Sequence, residues 1–392
     1  MTGAALPSPL PVSAAGQGEC MMPKTRKPVL GGRDKVKVAI AQISPVFLDR
    51  DASVARAVSA IAEAAKNGAA LVVFPEVWLA GYPYWTEGWD SNIPAWIGGR
   101  VAFRDAAVVA PSEDTDRIGA AARQHNVYVV MGCNEIDPRP ESDTIYNCLL
   151  FFGRDGALMG KHRKLMPTFS ERQFWGMGDG HDIRVFDTDI GRIGGLICGE
   201  HVMTLARAAM IAEGEEIHIA VFPGAFALHT GPRLEELDTT GAFWGHSSVR
   251  AHAFEAGAFV LSACGIQDPK DIADDFPHKK TMNIGYAQGG SSIIAPLGIP
   301  LVEPTFGSKI LYAELEAWMP KALSAIVDTV GHYGRPDVFK LLIRQDEWRE
   351  AGSQGKRVSA ALADQLKRSA ERHDVDERKV IGAVERMAEA AE

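Results

Sequence analysis

The chain has 392 residues, 46% of them hydrophobic and 23% charged, and a formal net charge of −9. This is the balance of an ordinary soluble globular chain long enough to bury a large core, and its negative charge argues against a nucleic-acid partner. No window has the long uncharged apolar stretch that a membrane span needs. The five cysteines, Cys20, Cys133, Cys148, Cys198 and Cys264, are odd in number, scattered and without CxxC pairs, which argues against a disulfide framework or a zinc site and predicts a reducing compartment, the cytoplasm.

In chain order, residues 1–34 are rich in Pro, Gly, Ala and Ser, lack the continuous apolar segment of a secretory signal, and read as a flexible tail. "KVKVAIAQIS" opens the organised chain as a first strand, and "DASVARAVSAIAEAAKNGA" follows with Val54, Val58, Ile61 and Ala65 at helical spacing. Asp51 is the expected N-cap and Gly68 the expected stop. "ALVVFPE" reads as a strand ending on Glu76, "TDRIGAAARQHN" as a helix and "VYVVMGCNE" as the next strand. "TIYNCLLFFGRDG" and "ALMGKHRKL" read as a hairpin turning at Asp155-Gly156. Later strands are "IGGLIC", "IHIAVFPG", "AFVLSACG" and "SSIIAPLG", with helices expected at 204–213 and 241–256. Strands and helices mixed throughout, with no linker after residue 35, predict one α/β domain over residues 35–341. From about Ser359 the sequence is charged and helical with few large apolar residues, so 342–392 reads as a helical tail, a possible contact between subunits.

Three polar residues stand at the ends of strand-like runs. Glu76 follows "ALVVFP", where it can be a functional carboxylate at the mouth of a sheet or a cap or ion-pair partner. Lys164, in "GKHRKLMPT", can be a catalytic ammonium or part of a solvated basic face. Cys198, in "GGLICGEH", can be a nucleophile or a small buried hydrophobe. Together they are chemically complementary: a carboxylate can take the thiol's proton, and an ammonium can hold an anionic intermediate.

On these segments the chain resembles the nitrilase (carbon–nitrogen hydrolase) superfamily. "FPE" resembles the segment that carries the family's general-base glutamate, here Glu76. "HRKLMPT" resembles the segment of its lysine, here Lys164, and "GGLICGEH" the nucleophile elbow, with Cys198 as nucleophile. "PTFSERQFWGMGDG" resembles the stretch that places a second carboxylate in the site, here Glu171, and favours the nitrilase branch. The resemblance implies a four-layer α-β-β-α sandwich, subunits paired across a helical face as a dimer or a larger spiral, and a small-molecule nitrile as substrate. It implies hydrolysis to the carboxylic acid and ammonia through a thioimidate and a thioester, with no metal or organic cofactor. An amidase or carbamoylase using the same residues, a nitrilase that releases mainly amide, and a non-catalytic scaffold are the alternatives.

Nitrilases usually carry Trp directly after the nucleophile; this chain has Gly199. Either the site is enlarged there, or a neighbouring aromatic such as Trp175 or Trp244 fills the space. Trp175, Gly199 and His201 are the expected substrate contacts, and Trp85, Phe174 and Trp244 are further candidates for the pocket wall. The elbow is expected to expose the thiol on a sharp turn, with a following helix aiming its N-terminal amides at the developing anion.

Overall fold

The computed structural model describes residues 28–85, 92–225 and 244–344. Two six-stranded sheets lie face to face. The first has the order β12-β1-β2-β3-β4-β5, built from β1 (Lys35–Gln42), β2 (Leu71–Val73), β3 (Tyr128–Ile136), β4 (Ile145–Phe152), β5 (Leu158–Arg163) and β12 (Lys309–Glu316). The second has the order β11-β10-β9-β8-β7-β6, from β6 (Phe186–Thr188), β7 (Gly191–Ile197), β8 (Ile217–Phe222), β9 (Phe259–Cys264), β10 (Gly289–Ala295) and β11 (Ile299–Phe306).

Strand periodicity explains the layering. On β1, Val38 and Ile40 join Leu71, Val73, Val130 and Leu149 in the core shared with Ile193, Ile197, Ile219 and Leu261 of the opposite sheet. The alternate residues Ala39 and Ala41, with Val72, Val129 and Met131, face the other way. There they meet Val54 and Ile61 of α1 (Arg50–Lys66), while Ile118 and Ala122 come from a later helix. Because both faces of these central strands are covered, the strands read as continuous apolar runs rather than alternating ones. The other helices are α2 (Ile93–Asp105), α3 (Glu113–His125, which supplies Ile118 and Ala122), α4 (Thr204–Ala212), α5 (Trp244–Ala256) and α6 (Trp318–Ser324). α4 packs Ala206 and Met210 on Leu196 of the second sheet, and α5 lies on β9. The result is the four-layer α-β-β-α sandwich.

Several boundaries differ from expectation. The cap of α1 is Asp49, whose carboxylate accepts from the Ala52 amide at 2.9 Å. Asp51 instead occupies the first turn, where its charge favours the helix N-terminus. Gly68 follows the helix with φ 84°, as a stop residue does. The strand expected to end on Glu76 ends at Val73, and β7 ends at Ile197, one residue before the cysteine. Residues 28–34 belong to the domain rather than to a tail: Leu30 is fully buried in the core between the sheets. Residues 1–27 and 345–392, including the expected C-terminal helix, lie outside the described residues. Among those described, no helix is long and apolar enough to cross a membrane, and Cys133, Cys148, Cys198 and Cys264 are free thiols.

Candidate active site

Glu76, Lys164 and Cys198 come from three different places in the fold and meet between the two sheets. Glu76 sits on the turn after β2. That turn crosses close over β3, so close that a Cβ added at Gly132 would stand 2.0 Å from the Pro75 carbonyl oxygen. Only glycine fits there, and Gly132 thereby lets Glu76 drop into the site. Lys164 is the residue after β5, and its amide extends the pairing with β4 by donating to the Asn147 carbonyl at 2.8 Å. The three basic residues of "HRK" are divided by strand alternation. Arg163 pairs with Glu135 at 2.6 Å on one side. His162 and Lys164 turn to the other, toward Glu200 at 2.8 Å and Glu76 at 2.9 Å respectively.

Cys198 follows β7 with φ 49°, a left-handed conformation that costs a non-glycine residue about 1–3 kcal/mol and turns the chain sharply. Glu200 pins that turn. Its carboxylate accepts from the amides of Ile197 at 2.7 Å and Leu165 at 2.8 Å, tying the residue before the cysteine to the residue after the lysine. Burial works against its charge, but the His162 imidazole and the two amides together outweigh burial and hold the Glu200 carboxyl below its ordinary range.

The polar cluster is closed and densely bonded. The Lys164 ammonium donates to Glu76 Oε1 at 2.9 Å and to Glu171 Oε2 at 2.7 Å. Asn147 Nδ2 donates to the same oxygen of Glu76 at 2.6 Å, and the Tyr82 hydroxyl donates to Glu171 Oε1 at 2.9 Å. One oxygen from each carboxylate and the Cys198 sulfur all lie within 4.8 Å of one another. Such a donor set is what a cation would seek, and here the Lys164 ammonium stands between the two carboxylates. Glu76 Oε2 is buried and has no hydrogen-bond partner.

Electrostatics follow from two carboxylates sharing one ammonium out of water. Burial, opposed by Lys164 and reinforced by Glu171, pushes Glu76 up to about 7. Burial lowers Lys164, but its neighbours, Glu76 first, outweigh burial, so the ammonium stays charged. Burial and the two carboxylates push the Cys198 thiol well above its usual value, against the pull of Lys164 and of the Gly199 amide. The resting sulfur is therefore a thiol beside a carboxylate poised to take its proton.

The thiol opens onto a cavity of about 710 Å³, walled by Tyr82, Tyr84, Tyr286, Met166, Thr168 and Phe169 and also lined by Glu171, Cys198 and Gly199. Gly199 is where it was expected. A Cβ added there would meet Thr168 Oγ1 at 2.6 Å, so among the described residues a threonine hydroxyl, not an aromatic ring, abuts this position. Trp175 and His201 do not line the cavity and are corrected as substrate contacts. Trp175 is packed behind Tyr82, where its indole donates to Asn134 Oδ1 at 2.7 Å. His201 is fully buried beside His218, its Nδ1 2.9 Å from the Cys198 carbonyl. Trp85 and Phe174 meet Phe103 edge-on in the aromatic cluster that also holds Tyr82 and Tyr84, behind the cavity wall rather than in it, and the Trp244 side chain is outside the described region. The expected α-helix after the cysteine is also corrected. Cys198–Val202 is a five-residue 3₁₀ turn, and α4 begins only at Thr204, so the Gly199 amide rather than a helix terminus serves the sulfur.

Sequence reading missed Asn147, Tyr82, Tyr84 and Tyr286. Three of these had a signal: Asn147 interrupts the apolar run "IYNCLLFF", and Tyr82 and Tyr84 stand in "YPYW", three aromatics in four residues shortly after Glu76.

Residues 37–319 match the family described as Carbon-nitrogen hydrolase. The chain is 37% identical over 325 residues to a bifunctional nitrilase/nitrile hydratase of Lupinus angustifolius, covering 79% of this chain and 86% of that one. It is 35% identical over 323 residues to an aliphatic nitrilase of Rhodococcus rhodochrous, covering 81% of each. Among solved structures, Saccharomyces cerevisiae Nit3, a member of branch 10 of the nitrilase superfamily, matches with a TM-score of 0.60 at 24% identity, over 76% of this chain and 97% of that one.

Proposed function

The chain belongs to the carbon–nitrogen hydrolase family, and on that premise we propose that it is a nitrilase, hydrolysing an organic nitrile to the carboxylic acid and ammonia. The observation that carries the reading is the buried thiol of Cys198 close to Glu76, a carboxylate that holds the Lys164 ammonium and keeps one oxygen without a hydrogen-bond partner. The identity to curated nitrilases over most of the chain supports it.

Glu76 takes the thiol proton as sulfur attacks the nitrile carbon; one π bond of C≡N breaks and Glu76 passes that proton on to the nitrogen, giving a thioimidate and an ionised Glu76. Lys164 holds the negative charge that develops on nitrogen, a task for a preorganised cation out of water. Glu171, fixed by Tyr82 and by the Thr168 amide at 2.6 Å, aims that ammonium. Water then adds to the same carbon, and the tetrahedral intermediate expels ammonia to leave a thioester. A second water, deprotonated by Glu76, releases the acid and the thiol. Expulsion of sulfur instead of ammonia at the tetrahedral stage releases the amide, so the product ratio depends on which leaving group is protonated. The test is incubation with paired nitriles and amides of the same carbon skeleton, measuring ammonia, acid and amide. Turnover of amides alone overturns the nitrilase reading in favour of an amidase.

A pH profile checks the base. Glu76 acts only when ionised, so kcat/KM is expected to fall as pH drops through about 7, the value to which burial raises this carboxyl. A flat profile from pH 8 to 5 removes Glu76 as the base.

Position 199 is expected to select by size. Gly199→Trp brings a side chain that covers roughly 150–250 Å² into a wall where Thr168 already stands 2.6 Å from the new Cβ. Bulky nitriles should lose more kcat/KM than small ones, with a melting curve taken alongside because overpacking costs about 1–3 kcal/mol. An equal fall for all substrates in a folded variant means that 199 does not discriminate by size.

Assembly and location are part of the same reading. Val202, Leu205 and Phe254 leave apolar surface exposed on and beside α4 and α5, which supports pairing of copies across this helical face, to be checked by sedimentation. The free thiols are in keeping with the cytoplasm.

A further inference from the structure

Behind the elbow, four buried side chains form a chain that the reaction itself does not use. His201 Nδ1 lies 2.9 Å from the Cys198 carbonyl oxygen, and His201 Nε2 lies 3.0 Å from His218 Nε2. His218 Nδ1 lies 2.7 Å from Glu215 Oε2, and the other oxygen of Glu215 meets His252 Nε2. The chain links the turn after β7 to β8 and to α5, and all four side chains are buried.

Counting hydrogens fixes its state. A carbonyl only accepts, so His201 carries its hydrogen on Nδ1 and its bare Nε2 must accept from His218 Nε2–H. His252 donates through Nε2 to Glu215. The contact between His218 Nδ1 and Glu215 then needs one more hydrogen. Four bonds therefore require one proton beyond the single hydrogen on each imidazole, and with the charge of Glu215 the group is neutral overall, as a fully buried cluster must be. Burial pulls His218 below the ordinary imidazole range, yet a neutral His218 beside an ionised Glu215 leaves one of the four bonds without a hydrogen. A metal ion does not fit the same atoms. Ligand distances of about 2 Å from an ion hold nitrogen and oxygen farther apart than the direct contact seen between His218 and Glu215.

We propose that His201 is a positioning residue for Cys198, held in one tautomer by a proton shared between His218 and Glu215. The Cys198 carbonyl and the Gly199 amide belong to one peptide plane. Holding the carbonyl from behind therefore fixes the direction of the amide that serves the sulfur in front, at a residue whose φ of 49° gives the backbone a reason to relax away. The inference rests on the reading of Cys198 as the nucleophile, and deepens it.

The test compares His201→Phe, which keeps a ring without a donor, with His201→Asn, which keeps an N–H near the Nδ1 position. Two quantities are read on the full chain: the rate of Cys198 alkylation by iodoacetamide, and kcat and KM for a nitrile that the unmodified protein turns over. A misplaced reacting group typically costs up to about 100-fold. His201→Phe is expected to slow alkylation and kcat by about 10- to 100-fold with KM within about threefold, and His201→Asn to recover most of the loss. The shared proton is read through Glu215. Glu215→Gln offers an amide hydrogen to His218 Nδ1 and an oxygen to His252, so it should retain more activity than Glu215→Leu, which offers neither. A folded His201→Phe that alkylates at the unmodified rate overturns the proposal, as does a His201→Asn no better than His201→Phe. Should His201→Phe fail to fold, the Glu215 pair decides, and glutamine no better than leucine overturns it. Selective alkylation of Cys198 without nitrile turnover by the unmodified protein counts against the nitrilase reading alone, because the alkylation rates still test His201.

Discussion

Cys198→Ala is expected to abolish nitrile turnover, a loss on the order of 10⁶-fold, as when the nucleophile of a covalent hydrolase is removed. Among the described residues no other thiol can take over. Cys133, Cys148 and Cys264 are all fully buried, and burial pushes the Cys264 thiol up to about 12. Cys198→Ser keeps the geometry but offers a far weaker nucleophile, since the hydroxyl is harder to deprotonate. Neither change removes much packing, so the melting transition should stay within about 1 kcal/mol of the unmodified protein. Mass analysis of enzyme quenched during turnover should find substrate bound to Cys198 alone. An adduct on Cys133, Cys148 or Cys264, or residual turnover of Cys198→Ala at a hundredth of the normal rate, removes the assignment.

Lys164→Ala is expected to cost both activity and stability, and the two losses have different causes. Loss of a preorganised donor at the developing charge lowers kcat by about 10²–10³-fold. In addition, Glu76 and Glu171 lose the ammonium that each contacts within 3 Å. Removing one partner of a buried ion pair typically costs about 3–5 kcal/mol. The sign of the pH dependence follows. Lys164 is a force that lowers the Glu76 pKa, against burial that raises it. Without it the folded-state value moves further above the ordinary 4.5, so the folded form binds more protons than the unfolded one. Stability of the variant should then fall as pH rises from 4.5 through and beyond 7. Thermal melts at pH 5 and pH 8 read this directly, with the larger deficit expected at pH 8. The double change Lys164→Met with Glu171→Gln removes one of the stranded charges and should recover stability without recovering turnover. Equal deficits at both pH values mean that Glu76 does not depend on Lys164 for its charge.

Much of the site is legible in the sequence because it is built from short contiguous segments. "FPE" and "GGLICGEH" each follow an apolar strand with a polar residue, "HRKLMPT" closes a strand-like run that is itself basic, and strand ends are where a sheet presents groups to a cleft. The central strands are equally plain. They are covered on both faces, so nearly every residue is apolar, and no register error can hide them. Elements with weaker contrast give little signal: β11 and β12 leave many residues half-buried or exposed, and α2 exposes Ile93, Ile97 and Val101. The edge position of β12, paired antiparallel to β1 from the far end of the chain, is a long-range contact that no local pattern encodes.

Local pattern alone marked the central strands, the first helix and Glu76, Lys164 and Cys198 as candidates, because each depends on residue type and spacing within a segment, and the family resemblance added Glu171. Tertiary structure alone decided what surrounds them. It packed Trp175 and His201 behind the cavity wall, brought Asn147 and Tyr82 onto the two carboxylates, put Thr168 against Gly199, and linked His201 to His218, Glu215 and His252. The physical reason is that a buried polar atom must find its partner wherever the fold provides one. In this chain that partner is often far away in sequence: Tyr82 bonds Glu171 and Asn147 bonds Glu76. Residue identity states which hydrogen bonds a side chain needs, and only the packing of the two sheets states who makes them.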